Sequence, residues 1–376
     1  MTTQNHRAIA DIADLVAALP ATEQELFGRI FHVSTTVGRL RPPETMHGWI
    51  EKHFGSVEAV LTQRIVKITN LVTMEASLFN DIRANRPIET KSDECFAKLV
   101  EESRGGPFCN PLHYTPEDIF GRVRGSHCIT ASNIAKYDGF HGLVIFDEHD
   151  PLKFTAEEVS DYLDTALAWA YKAHEMDREA RYFFFMWNCL WRSGASILHG
   201  HAQMSLSRDI HYAKVEHLRR AALSYQAEYD SNYFRDLYAA HRALGLAFEN
   251  DDTHILVYLT PIKEKEVLLI SKPQLGSAPQ PCLNDGLKDS IYRVFRCFID
   301  RLGVCSFNLA LYLPPIDGGK GKPEEDWNGF PALVRIVDRG DVANRTADMG
   351  AMELYAASVV ASDPFRVAEA LQNSLP

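Results

Sequence analysis

Two histidines and a glutamine occupy alternate positions in the stretch SILHGHAQM. They are His199, His201 and Gln203, and a single glycine and a single alanine separate them. If residues 198–204 form a strand, successive side chains alternate between its two faces, so the three large polar groups point the same way. The small spacers then leave the opposite face free to pack closely against a neighbouring element.

This pattern is suited to chemistry at phosphorus. A neutral imidazole can attack phosphorus near pH 7. The product, a phosphoramidate, splits transfer between two phosphate esters into two displacements. Gln203 favours transfer over hydrolysis, because an amide can donate a hydrogen bond to phosphate oxygens but cannot shuttle a proton. The amides of the preceding turn, residues 193–196, could converge on an anion. Metal binding, or a strand that faces solvent, are the alternative interpretations.

Length and composition limit the class of protein. The chain has 376 residues, 46% of them hydrophobic and 24% charged, which predicts a packed globular protein with two domains or one duplicated unit. A net charge of −11 disfavours nucleic acid and anionic membranes as partners. We find no signal peptide and no apolar run long enough to span a bilayer. Seven scattered cysteines fit reduced thiols, so we expect a cytoplasmic protein.

The same order of elements is predicted twice. HCITASNI and HGLVIFDE indicate strands, and a helix follows from Thr155, which forms a capping-box pattern with Glu158. ARYFFFMWN and the histidine stretch complete the first set. HILVYLTP, EVLLISKP, a helix around DSIYRVFRCFIDRL, SFNLALYLPP and ALVRIVDR make up the second set. The repetition predicts an α+β fold built from a duplicated unit.

Three segments follow from this order. Residues 1–58 are predicted to form a helical N-terminal extension. Residues 59–226 are predicted to form the first half, which carries the histidine stretch, and residues 227–376 the second half.

The segment MWNCLWRSGASILHGHAQ resembles the active-site segment of the galactose-1-phosphate uridylyltransferase family. This family is the transferase branch of the histidine-triad superfamily, which also includes dinucleoside polyphosphate and ADP-glucose phosphorylases. Asn188 lies eleven residues before His199, as in the family, and Gly194 and Ser196 match a glycine and a serine before the histidine pair. The resemblance implies that His201 is the nucleophile and that Gln203 contacts phosphate oxygens. It also implies phosphate or nucleotide contacts from Asn188, Gly194 and Ser196.

Two further segments resemble the same family. DIRANRP is similar to an early Arg-x-x-Arg-Pro element, which implies that Arg83 and Arg86 contact the nucleotide phosphates. TASNIAKYDGFHGLVIFDEHDPLKF is similar to the strands on the nucleotide side, with Asn133 as a nucleoside contact. The resemblance implies two histidine-triad-like halves, and it implies a homodimer, because in the family the site is completed across the dimer.

A metal site is the next implication. Many members of the family bind zinc through a Cys-x-x-Cys, a downstream histidine and the first histidine of the pair. Here Cys109 remains, with Gly106 in place of the other cysteine, and His149 and His199 match the other two ligands. His113, four residues after Cys109, could supply a fourth ligand. The alternative is that His199 forms hydrogen bonds without a metal. The chemistry itself requires no cofactor.

The second half departs from the family pattern. The histidine-rich strand of the family reads DWNGFPALVRIVDR here and contains no histidine, so we expect no second metal. Glu353 is off register by one for the sugar-recognising glutamate, and Ser358 stands where a glutamine would be. Galactose is therefore not indicated as the sugar.

Together these features predict a nucleotidyltransferase. It would move a nucleoside monophosphate from a nucleotide sugar to a sugar 1-phosphate or another phosphate acceptor, through a covalent intermediate on His201. One alternative is a dinucleoside polyphosphate or ADP-sugar phosphorylase with the same nucleophile. The other is a nucleotide-binding protein without turnover. The sequence leaves the base, uridine or adenosine, open.

Overall fold

A computed structural model of the chain describes residues 7–80, 82–83, 96–273, 283–322, 325–344 and 346–374. Its α-helices are α1 (Ile12–Ala17), α2 (Ala21–Ile30), α3 (His47–Phe54), α4 (Glu58–Leu61), α5 (Phe96–Glu102), α6 (Pro111–Tyr114), α7 (Ala156–Met176), α8 (Ala213–Tyr229), α9 (Tyr233–Ala243), α10 (Asp285–Arg296), α11 (Ala351–Tyr355) and α12 (Pro364–Gln372). Its strands are β1 (Phe31–Arg39), β2 (Thr62–Asn70), β3 (Ala76–Phe79), β4 (Cys128–Ser132), β5 (Phe140–Phe146), β6 (Tyr182–Cys189), β7 (His201–Ser207), β8 (Ala247–Glu249), β9 (Thr253–Val257), β10 (Glu264–Ser271), β11 (Phe307–Tyr312), β12 (Leu333–Asp338) and β13 (Ser358–Val360). Among the described residues, no helix combines the length and the apolar character needed to cross a membrane.

The main sheet has two matching halves. Its nine strands run in the order β4-β5-β7-β6-β11-β12-β10-β9-β8. Read from the edge of the sheet toward its centre, the first half runs β4-β5-β7-β6 and the second half runs β9-β10-β12-β11, with β8 added outside β9. Every pairing is antiparallel. Each half also places one helix, α7 or α10, between its second and third strands. The α+β fold with an internal duplication, predicted from the sequence, is therefore confirmed.

Helix α7 shows how local signals position the first half. Thr155 caps it: the Glu158 amide donates to Thr155 Oγ1 at 3.2 Å, and the Thr155 amide donates to Glu158 Oε2 at 2.7 Å. This is the predicted capping box, which satisfies amides that a helix start leaves unpaired. The buried face of α7, with Tyr162 and Trp169, packs on β4, β5 and β7, and α7 also packs against α10. One face of the sheet is thereby covered in both halves.

The opposite face differs between the halves. In the second half, Leu218 of α8 and Leu237 of α9 lie against Leu268 and Leu333 of the sheet and leave a gap of only about 20 Å³. Arg335 is held there by Glu266 at 2.6 Å and Glu75 at 2.7 Å. In the first half, this face carries His201 and Gln203 beside a small, separate apolar cluster. Among the described residues, this face therefore carries the polar pair of β7 in the first half, whereas α8 and α9 cover it in the second half.

The N-terminal extension is not entirely helical. Helices α1 to α4 form as expected, but β1 lies between α2 and α3 and pairs antiparallel with β2 from Phe31↔Asn70 to Arg39↔Thr62. With β3 and β13, these strands form a separate four-stranded sheet. The β-branched residues of FHVSTTVGR suit a strand, but most of them are exposed. The segment therefore lacks the clear alternation of apolar residues that predicts a strand from sequence.

The strand that carries the nucleophile candidate is as long as predicted but begins three residues later. The prediction was residues 198–204, whereas β7 begins at His201 and His199 lies just before it. The Gly200 amide donates to the His149 carbonyl at 3.1 Å, and the Phe146 amide donates to the Gly200 carbonyl at 3.0 Å. A Cβ on Gly200 would lie 2.7 Å from Phe146 Cδ2, so a glycine is needed for this close approach.

We expect Gly200→Ala to lower the free energy of unfolding by about 1–3 kcal/mol, because the added methyl group overpacks the contact with Phe146. Urea denaturation followed by circular dichroism measures this. Gly139→Ala is the matched control, since a Cβ there meets no atom within 4 Å, and it should change the free energy by less than about 0.5 kcal/mol. Equal effects of the two substitutions would contradict the packing argument.

Candidate active site

The candidate site lies in the first half, on the face of the sheet opposite α7. His201 and Gln203 lie two residues apart on β7, opposite Ile145 and Leu143 of β5. Both side chains are largely buried, at 6% and 9% exposure. Beside them lies an apolar wall made of Phe108, Ile129, Ala131, Leu143 and Ile145. A polar row next to an apolar wall can hold a ligand with one charged end and one aromatic or apolar end.

The protonation of His201 is set by the backbone. Its Nδ1 lies 2.8 Å from the carbonyl oxygen of His199. A carbonyl oxygen can only accept a hydrogen bond, so Nδ1 carries the proton of the neutral ring and Nε2 keeps a lone pair. Nε2 makes no hydrogen bond within the described part of the chain. Burial lowers the pKa of His201, which favours the neutral ring.

Phe108 joins the two histidines of the pair. Its ring centroid lies 5.1 Å from that of His201 and 6.2 Å from that of His199, edge-on in both cases. Such an arrangement restricts both rings while leaving their nitrogen atoms free for polar contacts.

Asn188, at the end of β6, is oriented by the second half of the sheet. Asn308 of β11 lies directly opposite it, and Asn308 Nδ2 donates to Asn188 Oδ1 at 2.6 Å. Arg339 donates to Asn308 Oδ1 and forms a two-pronged ion pair with Asp348 at 2.7 and 2.9 Å. Since Asn188 Oδ1 is occupied as an acceptor, the remaining side of this amide is its NH₂ donor.

Gln203 has its own partner, His141 of β5. His141 Nε2 lies 3.0 Å from Gln203 Oε1, and His141 is fully buried. Asn133 belongs to the same group, because its Nδ2 lies 3.3 Å from His141 Nε2 and its Oδ1 accepts the Ala135 amide at 3.0 Å. The structure thus brings Asn133 and Gln203 together around a histidine.

Cys109, His149 and His199 form a second cluster of polar atoms. The Nδ1 atoms of His149 and His199 lie 3.0 Å apart. Cys109 Sγ lies 3.4 Å from His149 Nδ1 and 3.5 Å from His199 Nδ1. His199 Nε2 lies 2.8 Å from the Phe146 carbonyl oxygen, and His149 Nε2 lies 2.9 Å from the Val100 carbonyl oxygen. Each neutral ring therefore carries its proton on Nε2, and two lone pairs face each other.

This arrangement fits a metal ion. Facing lone pairs repel unless a cation lies between them, and a backbone acceptor on the far nitrogen is the usual support for a metal-binding histidine. From ordinary zinc bond lengths, a tetrahedral site would separate two nitrogens by about 3.3 Å and a nitrogen from a sulfur by about 3.5 Å. The distances between the three side chains are close to these values. The donor set of one thiolate and two imidazoles suits zinc.

The structure does not place His113 with these three residues. The described cluster contains Cys109, His149 and His199 only. His113 lies on α6, where its side chain is exposed and its ring lies 6.4 Å from that of Tyr114. Non-helical backbone at Asn110 separates α6 from the short 3₁₀ helix that ends at Cys109. His113 therefore does not join the cluster, although it lies only four residues after Cys109 in the sequence.

The turn before the histidine pair differs from its prediction. The amides of Ser193, Gly194 and Ala195 donate to the carbonyl oxygens of Leu190, Trp191 and Leu190 at 3.0–3.1 Å, so they do not converge on an anion. In the described part of the chain, only the Ser196 amide of this turn lacks a backbone acceptor. Gly194 has a φ of 97° and closes the turn, and Ser196 is exposed. The left-handed backbone of this turn therefore explains why a glycine stands at position 194.

Arg83 is not assembled with the histidines. Arg83 is exposed in a turn after β3, with its amide donating to the Asn80 carbonyl at 3.0 Å. Among the described residues, the Arg83 side chain makes no hydrogen bond or ion pair with His201 or Gln203. Arg86 lies outside the described residues.

Several residues of the site were not predicted from the sequence: His141, Phe108, Asn308 and Arg339. One signal was available for His141, since it is a histidine in the otherwise apolar strand FHGLVIF and lies on the face that includes Leu143. The other three offered none, because each acts through a residue far away in the chain.

The sequence matches no protein-family model and no curated protein significantly. The structure, however, is similar to solved structures. An ADP-glucose phosphorylase from Arabidopsis thaliana with bound ADP-glucose has 15% identity and a TM-score of 0.61, over 82% of this chain and 98% of that chain. A GalT-like protein from Arabidopsis thaliana has 15% identity and a TM-score of 0.59, over 82% and 98%.

A uridylyltransferase structure is also similar, with 14% identity and a TM-score of 0.55, over 82% of this chain and 99% of that chain. At these identities the likeness concerns the fold. The chain therefore shares the two-half α+β fold of these proteins.

Proposed function

We propose that the protein is a nucleotidyltransferase that acts by double displacement, with His201 Nε2 as the nucleophile. The observation that carries the proposal is the hydrogen bond from His201 Nδ1 to the His199 carbonyl oxygen, which leaves Nε2 unprotonated and free of partners in the described part of the chain. The similar solved structures, named as an ADP-glucose phosphorylase and a uridylyltransferase, support this class of reaction.

Both steps balance without a cofactor. In the first, the Nε2 lone pair forms a bond to the α-phosphorus of a nucleotide sugar, and the bond from that phosphorus to the bridging oxygen breaks. The sugar 1-phosphate leaves with the electron pair. In the second, an oxygen of the acceptor phosphate attacks the same phosphorus, and the P–N bond electrons return to Nε2. The ring is positively charged in the intermediate, and the His199 carbonyl oxygen stabilises that charge through the Nδ1 proton.

The neighbouring groups suit the transferred nucleotide. The NH₂ groups of Gln203 and Asn188 are proposed to donate to phosphate oxygens, which gain charge in the transition state. The apolar wall that includes Phe108 and Ile145 would contact the nucleoside, and Asn133 would bind it through a hydrogen bond. Contacts of Arg83 and Arg86 with phosphate, and assembly as a homodimer, stay predictions from the sequence.

Incubation with a donor should convert wild-type protein to a covalent adduct. We expect intact-protein mass spectrometry to show an increment of one nucleoside monophosphate after exposure to UDP-sugars, ADP-sugars or diadenosine polyphosphates, each tested separately. The size of the increment identifies the base. His201→Asn should form no adduct and lose turnover by about 10³-fold or more, because the nucleophile is absent.

His113→Asn is the matched control, since it removes an exposed histidine outside the cluster, and it should form the adduct normally. Release of the nucleotide by a sugar 1-phosphate or by inorganic phosphate distinguishes transferase from phosphorylase. A folded wild-type protein that binds nucleotide but never gains mass would instead be a binding protein.

We also propose that Cys109, His149 and His199 hold a zinc ion as a structural site. When bound, the positive charge of zinc would hold Cys109, in the segment after α5, close to His199, which lies just before β7. The consequence for the chain is the position of His199, whose carbonyl oxygen accepts the His201 Nδ1 proton. The proposal depends on the facing Nδ1 lone pairs, 3.0 Å apart.

Zinc content should depend on these three side chains. We expect wild-type protein to retain about one zinc per chain after dialysis, measured by elemental analysis. Cys109→Ala should lose most of it, and added zinc should raise the melting temperature of wild-type protein but not of this variant. His113→Ala should keep the metal. If Cys109→Ala and wild-type protein hold equal zinc, the site assignment is wrong.

A further inference from the structure

His141 occupies a position in the site that the proposed reaction leaves without a role. It lies on β5 opposite Ser205 of β7, on the face that also carries Gln203. Its side chain is fully buried, and the ring of Tyr137 stacks on it at 4.3 Å with an interplanar angle of 22°. Both ring nitrogens are in contact with polar groups, Nδ1 with the Tyr137 amide at 3.0 Å and Nε2 with Gln203 Oε1 at 3.0 Å.

These contacts determine where the imidazole proton is. The Tyr137 amide can only donate, so His141 Nδ1 accepts and carries no proton. In a neutral ring the proton is then on Nε2, which donates to Gln203 Oε1. Burial lowers the pKa of His141 and so favours the neutral form. Asn133 Nδ2 lies 3.3 Å from Nε2, and it is itself a donor because Asn133 Oδ1 accepts the Ala135 amide. It therefore forms no hydrogen bond with the protonated Nε2 and does not accept the Nε2 proton.

The state of His141 in turn orients the glutamine. An amide side chain can rotate to present either its oxygen or its nitrogen, and the two orientations have opposite effects on a phosphate oxygen. With Oε1 held by His141, the NH₂ group of Gln203 is on the free side. This nitrogen has no hydrogen-bond partner within the described part of the chain.

We propose that His141 is a positioning residue that fixes the amide of Gln203 with its NH₂ group toward the transferring phosphate. The inference rests on the proposed nucleotidyl transfer, and it adds a residue outside the HGHAQ stretch to the phosphate-binding machinery. His141 acts only through Gln203, so its effect should vanish when Gln203 is removed.

A double-mutant cycle tests this dependence. His141→Phe keeps an aromatic ring against Tyr137 but removes the donor, whereas His141→Gln restores an NH₂ donor near the position of Nε2. We expect His141→Phe to slow formation of the covalent adduct by about 10- to 100-fold, with a much smaller change in the donor dissociation constant. His141→Gln should recover most of the rate, and His141→Phe should have no further effect in the Gln203→Ala background.

Equal slowing by His141→Phe in both backgrounds would overturn the inference, because it would indicate a general structural effect. An unchanged rate in the single variant would also overturn it. If wild-type protein forms no adduct, the proposed function fails separately. The same cycle, measured on the dissociation constants of UDP and ADP, then decides whether His141 and Gln203 are coupled in binding phosphate.

A spectroscopic measurement tests the geometry independently of activity. In protein labelled with ¹⁵N-histidine, the resonances lost in His141→Gln identify His141, and their shifts report which nitrogen is protonated. We expect an unprotonated Nδ1 and a protonated Nε2 at neutral pH. The opposite tautomer, or a doubly protonated ring, would overturn the positioning role whether or not the protein transfers a nucleotide.

Discussion

The hydrogen bond from His201 Nδ1 to the carbonyl oxygen of His199 is the contact on which the candidate site depends. It joins residues two apart in the chain, so the backbone must bend immediately before β7 begins. The bend is held by the pairing of Gly200 with the backbone of His149 and Phe146. Because a backbone group sets the tautomer of His201, no other side chain is needed for that purpose.

The two halves of the duplicated fold contribute differently to this face. Gln203, Met186, Ala310 and Arg335 lie side by side in one row across the sheet, so Gln203 and Arg335 are each one strand away from the central pair, β6 and β11. Around Arg335 the row is covered by α8 and α9 and closed by ion pairs. The second half therefore contributes to the site by orienting one of its side chains: Asn308 of β11 donates a hydrogen bond to Asn188 of β6.

What could be predicted from the sequence follows from how local each feature is. Eight of the nine strands of the main sheet and the capping box of Thr155 are encoded within short windows, and the structure contains them, whereas the three-residue edge strand β8 was not predicted. Strand β1 is defined by its pairing with β2, about thirty residues later, and its exposed residues carry no alternation of their own. The contacts of His141 with Gln203 and of Asn308 with Asn188 span 62 and 120 residues, so motif spacing held no information about them.

Four histidines of the site show why residue type alone does not determine chemistry. A backbone group contacts one ring nitrogen of each: the Tyr137 amide for His141, and carbonyl oxygens for His149, His199 and His201. An amide only donates and a carbonyl only accepts, so each contact assigns the proton of a neutral ring to one nitrogen. The outcomes differ: the lone pairs of His149 and His199 face each other beside a thiol, that of His201 has no partner among the described residues, and His141 offers its proton to Gln203. The sequence supplies four equivalent imidazoles, and the polarity of the backbone beside each one selects its role.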